Sequence, residues 1–126
     1  MKLNPECIRD LLLDIEKETD IRHEIVYDLS SEPSDSLAKY SNDEIEYHLM
    51  QCHLNGFLVN ARFFDCCSKV AIDYLSPAGH RFLADIRSDT VWSRTTKVAE
   101  KIGTWSLDTL SKIAANVIAE IIKQQF

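Results

Sequence analysis

His48 and Cys52 stand four residues apart, a spacing that sets two soft ligands on one helical face where a single ion could bridge them. His53, the adjacent Cys66 and Cys67, and His80 supply further nitrogen and sulfur atoms for a tetrahedral shell. No CxxC pair and no HxxxH repeat accompanies them, so the spacing does not single out a zinc site. His48 and Cys52 also share an apolar stripe with Ile45 and Leu49, where residues of intermediate polarity are ordinary core members. A second set, His80 with Asp73 and Asp85, has the types needed for proton transfer. It comes without a nucleophile elbow, a phosphate-cradling glycine loop or an HExxH helix. A histidine near carboxylates is common in folded domains. His80 is therefore expected to pack against the preceding hairpin with a ring nitrogen bonded to backbone. No catalytic residue, metal ligand or cofactor is assigned.

Polyanion binding is the other chemistry to weigh. Arg62 and Lys69 flank a turn, Arg81 and Arg87 follow, and Arg94, Lys97 and Lys101 come next. A helix that reads a DNA groove needs Arg, Lys, Asn or Gln on its exposed face. The helix before the turn offers Asp43, Glu44 and Glu46, then Tyr47, Met50 and Gln51. The net charge of −6 is also uneven: residues 1–59 hold 13 acidic and 5 basic side chains, residues 60–126 hold 7 and 9. Only the back half carries a positive surface, so Arg62, Lys69, Arg81 and Arg87 are the candidate nucleic-acid contacts. Trp92 and Trp105, with Leu110, Val117 and Ile121, are the candidate anchors of a dimer or partner interface.

These side chains must be carried by elements whose ends the sequence marks. Asn4-Pro5-Glu6 caps a helix running to about Glu18, with Ile8, Leu11, Leu12 and Ile15 inward. His23–Tyr27 has strand composition, and Ser30–Ser36 reads as loop. Ser41 and Glu44 form a capping box for a helix that Gly56 terminates. Phe57–Val59 is expected as a strand, Ala61–Ser68 as a turn and Val70–Tyr74 as the return strand. Ser76-Pro77 starts a helix burying Phe82, Leu83 and Ile86. The next helix, about Ser88–Lys101, should face inward through Val91, Thr95, Val98 and Ile102, and Gly103 ends it. The last, about Ser106–Gln125, has an apolar stripe wide enough for a central pillar or half of a dimer seam.

With 126 residues, 45% hydrophobic and 27% charged, the chain is expected as one cytoplasmic domain with no membrane span or signal segment. Met1–Asp10, Tyr47-His48-Leu49 with Asn55-Gly56-Phe57-Leu58, and Leu75–Leu83 with Ile86–Trp92 resemble the domain of unknown function 2513 family. The resemblance spans essentially the whole chain. It implies a bacterial, phage or prophage setting and carries no established activity or catalytic residues. Cys66-Cys67 looks particular to this chain.

The fold expected is α+β: a helix-rich, winged-helix-like domain with a small β-hairpin wing. Residues 1–87 form its core, and two C-terminal helices over residues 88–126 pack on it or on a dimer mate. The function expected is a non-enzymatic regulatory or interaction module of phage or prophage type. Its partner would be another protein or a second copy, with nucleic acid touched by the wing as the alternative. A DNA-binding transcriptional regulator is the second reading, and an enzyme or metal-dependent protein the third.

Overall fold

The computed structural model describes residues 1–66 and 68–125. Its first helix, α1 (Pro5–Glu18), begins where the Asn4 side chain accepts the Glu6 N–H at 3.1 Å, and proline fills the first helical position. Cys7, Ile8, Leu11, Leu12 and Ile15 form its buried face. The second helix, α2 (Asn42–Leu54), starts at Ser41, whose hydroxyl accepts the Glu44 N–H at 3.1 Å. It ends where Gly56 takes φ +75°, a conformation glycine enters without steric penalty. Three more helices follow: α3 (Pro77–Ile86), α4 (Asp89–Ile102) and α5 (Leu107–Gln125). Serine side chains cap α3 and α4, as Ser76 accepts the Gly79 N–H and Ser88 the Val91 N–H.

Five short strands lie between: β1 (Ile25–Asp28), β2 (Leu58–Val59), β3 (Arg62–Phe64), β4 (Lys69–Ile72) and β5 (Tyr74–Leu75). The expected α+β class is therefore observed, with a helix-rich chain and a small hairpin. One antiparallel sheet has the order β1-β4-β3, and β2 pairs with β5 in another. The two belong to one hairpin in constant register, since Leu58 opposes Leu75, Val59 opposes Tyr74, and Arg62 opposes Ala71. The ladder breaks where Asn60 adopts φ +53° and donates from its side-chain amide to the Asp73 carboxylate at 3.1 Å.

Strand boundaries differ from expectation at several places, the first being the return strand Val70–Tyr74, which is split at Asp73 into β4 and β5. Arg62–Phe64, expected within a turn, pairs with β4, because aromatic residues on alternating faces suit a pleated strand better than a loop. The turn itself is tight, with Asp65 and Cys66 at φ +54° and +55° and the Ser68 N–H closing onto the Asp65 carbonyl. Cys67 lies outside the described residues. His23 stays out of β1 because the Asp20 carboxylate accepts the backbone N–H groups of Arg22 and His23, folding that segment into its own turn.

Phe57 and α3 join the hairpin base to the helices. A Cβ on Gly79 would meet the Phe57 carbonyl oxygen at 2.3 Å, so only glycine permits this backbone approach. The Ser76 N–H donates to that same oxygen, and the Phe57 and Phe82 rings stack at 5.1 Å. In α4 the buried row is Val91, Thr95 and Ala99, whereas Val98 and Ile102 are 38% and 61% exposed. This corrects the expected stripe: the row follows the i, i+4 ridge of the helix, and Ala99 is small enough for close packing. The α5 helix lies along α4 and touches α3, burying Leu107, Leu110, Ile113, Ala114 and Val117. One cluster of buried side chains runs from Cys7 in α1 to Val117 in α5.

Candidate functional site

His48 is fully buried, and both of its ring nitrogens are occupied by backbone. Nδ1 lies 2.7 Å from the Glu44 carbonyl, which can only accept, and Nε2 receives the Asn4 N–H at 2.7 Å. These partners fix the neutral Nδ1–H tautomer. The Asn4 side-chain amide also donates to the Glu44 carboxylate at 3.3 Å. His48 thereby ties the start of α1 to α2, and no ring lone pair is left for an ion.

The remaining ligand candidates are dispersed. His53 is exposed and tilts against Phe63 at 5.7 Å. Cys66 is exposed at the hairpin turn. Among the described residues, no three His, Cys, Asp or Glu side chains converge as an ion-holding group. Burial pushes the Cys7 thiol up to about 12, with Glu44 and Asp10 adding to the effect. Cys52, wholly enclosed, is also raised by burial. Both thiols are kept protonated, the opposite of what a nucleophile or metal ligand requires.

His80 departs from expectation. It is exposed, and among the described residues its ring bonds to no backbone group and to neither Asp73 nor Asp85. The face of α3 turned to the core is Gly79, Phe82, Leu83 and Ile86, and His80 lies off that face. Asp73 is instead bound by Arg62, whose Nη1 donates to it at 3.2 Å.

Of the four candidate polyanion contacts, two are engaged with carboxylates. Arg62 also pairs with Glu24, and Arg87 pairs with Glu16. Lys69 is half-buried on β4 opposite Asp28, and Arg81 is exposed on α3 beside Asp85. The four are carried by three elements: Arg62 on β3, Lys69 on β4, and Arg81 on α3 with Arg87 at its C-terminal cap. Arg9, which sequence reasoning passed over, has a side chain only 12% exposed. It donates to the Ile86 carbonyl at 2.9 Å, to the Arg87 carbonyl at 2.5 Å and to Asp89 at 2.9 Å. Its guanidinium also sits 5.6 Å from the centre of the Trp92 ring. Arg9 closes the free carbonyls at the end of α3, a structural role that only long-range packing discloses.

The candidate interface residues divide. Trp92 and Trp105 line one groove of about 640 Å³ together with Met1 and Leu3. Leu110 and Val117 are instead buried within the chain, because α5 uses that face against α3 and α4. They offer no surface to a second copy, which corrects their assignment as dimer anchors. Ile121 is half-buried at the same helix.

A second groove, of about 660 Å³, was invisible in the sequence. It runs beside β1, between the end of α1 and the loop of residues 31–37. The Tyr27 hydroxyl crosses to Asp14 at 2.7 Å, and burial with that carboxylate pushes the phenol upward. No helix among the described residues is long and apolar enough to cross a membrane.

The family model described as "Hypothetical protein (DUF2513)" matches residues 2–106. An uncharacterized protein of Haemophilus influenzae (strain Rd) is 26% identical over 125 residues, covering 97% of this chain and 99% of that protein. No solved structure matches the chain significantly.

Proposed function

The chain belongs to the family described as Hypothetical protein (DUF2513), and from that premise we propose that it is a non-catalytic interaction module whose partner is another protein. The observation that carries this reading is how its reactive side chains are used. His48 is locked between two backbone groups, the Cys7 and Cys52 thiols are held protonated, and Arg9, Arg62 and Arg87 are bound to carbonyls or carboxylates. What remains for function is surface, including grooves of about 660 and 640 Å³.

The order of α1, β1, a short 3-10 turn at Asp35–Leu37, α2 and a hairpin supports a winged-helix-like reading of residues 1–87, as does β1 lying beside the return strand. In that reading α2 stands where a groove-reading helix would, with Asp43 in its first turn and Glu46 half-exposed after it. Carboxylates there repel phosphates, and the hairpin's Arg62 already holds two of its own. Both features favour a protein partner over duplex DNA. The bacterial relative supports a bacterial setting.

Gel-shift titration on a mixed-sequence duplex tests the reading. No complex is expected even at low salt. A complex whose affinity falls steeply with added salt, as counterion release requires, would replace it with the DNA-binding alternative.

A further inference from the structure

We propose that the free edge of β1 receives an extended, lysine-rich segment of a partner protein as an added strand. This deepens the protein-binding reading above and rests on it. In the sheet order β1-β4-β3, β1 pairs on one side only. The Leu29 N–H bond to the Ser68 carbonyl, at 2.7 Å, fixes which groups face β4. By antiparallel alternation, Ile25 and Tyr27 turn their backbone groups to β4, and Val26 and Asp28 turn theirs outward. The Asp28 carbonyl accepts the Ser31 hydroxyl. The Val26 N–H, the Val26 carbonyl and the Asp28 N–H have no partner among the described residues. Val26 is also 51% exposed. Such a row of open donors and acceptors is a template for strand addition.

The groove follows this edge. It is lined by β1 residues of both faces, in-facing Ile25 and Tyr27 and out-facing Val26 and Asp28, so it runs along the strand's side and not over one face. The other sheet edge, β3, is poorer: it is three residues long, begins two residues after left-handed Asn60 and is followed at once by left-handed Asp65.

Charge selects the occupant. Asp14, Glu18, Asp28, Glu32 and Asp35 line the groove against Lys17 alone. Asp14 and Asp28 are engaged by Tyr27 and Ser30. Glu18, Glu32 and Asp35 have no side-chain partner among the described residues, and Asn42 keeps a buried side-chain oxygen there without a donor. A strand carrying ammonium groups on alternate residues would meet acceptors along the whole groove.

The test uses the full chain, isotope-labelled, and a capped peptide alternating lysine and valine, with a glutamate–valine peptide as the counterpart. Amide shifts should centre on Val26, Asp28 and residues 31–35 with the lysine peptide, and weaken as salt rises. Val26→Pro removes an outward N–H, a change an edge strand tolerates, and should weaken binding about tenfold. Should that variant fail to fold, Glu32→Lys with Asp35→Lys should reverse the preference between the two peptides. Absence of shifts, equal binding of both peptides, or unchanged affinity in a folded Val26→Pro would each overturn the site. Shifts centred on Trp92 and Trp105 would also overturn it and leave the protein-binding reading standing, whereas salt-sensitive duplex binding removes that reading itself.

Discussion

At the residue scale, burial decides what each chemically capable side chain can do. Cys7 shows the consequence for pH. In the unfolded chain its thiol ionises near 9.0, and in the fold only near 12. Between those values the unfolded chain binds fewer protons than the native one, so stability falls as pH rises. The contribution is complete below 9.0 and is lost as the pH climbs through about 12. Cys52 and Tyr27, also raised by burial, act in the same direction. The urea midpoint should hold near neutral pH and drop toward about pH 11, with Cys7→Ala lowering the whole curve and flattening part of the fall. A midpoint insensitive to alkali in the parent chain would contradict the enclosure of these groups. The sequence placed Cys52 and His48 on an inward stripe, and there they lie. It could not give the two backbone partners of His48, because one of them comes from Asn4, 44 residues away.

At the element scale, the caps were legible and the pairing was not. Asn4, Ser41 and Ser76, expected as caps, each accept a backbone N–H from the first turn of their helix, and so does Ser88, expected only as a helix start. The strand Arg62–Phe64 and the pairing of β1 with β4 depend on residues more than 40 positions apart in the second case, and no local pattern encodes that choice. The groove along β1 was hidden for the same reason, since helix, strand and loop each read as ordinary by themselves. Gly79 gives the sharpest test of the packing described. Gly79→Ala forces a methyl group against the Phe57 carbonyl, a backbone atom that cannot rotate away. The substitution should destabilise by about 3 kcal/mol, measured by urea unfolding. Substitution of exposed His80 by Ala, one residue on, should change the midpoint little.

At the scale of the whole molecule, the family match stops at residue 106 but the core does not. Leu107, Leu110, Ile113 and Val117 of α5 are buried against α3 and α4, and each such side chain contributes about 1.5–3 kcal/mol. Their sum rivals the entire stability of an ordinary domain, about 5–15 kcal/mol. A chain truncated after Ser106 should therefore lose its cooperative thermal transition and bind a hydrophobic dye. Retention of a sharp transition by circular dichroism would mean that α5 is an accessory. The broken hairpin has a kinetic counterpart. Its distal half is stitched to β1 and its basal half is clamped to α3, with the Asn60–Asp73 link between them. Deuterium uptake along residues 58–75 should then divide into two blocks with separate opening rates, the boundary falling at the unpaired step beside Asn60.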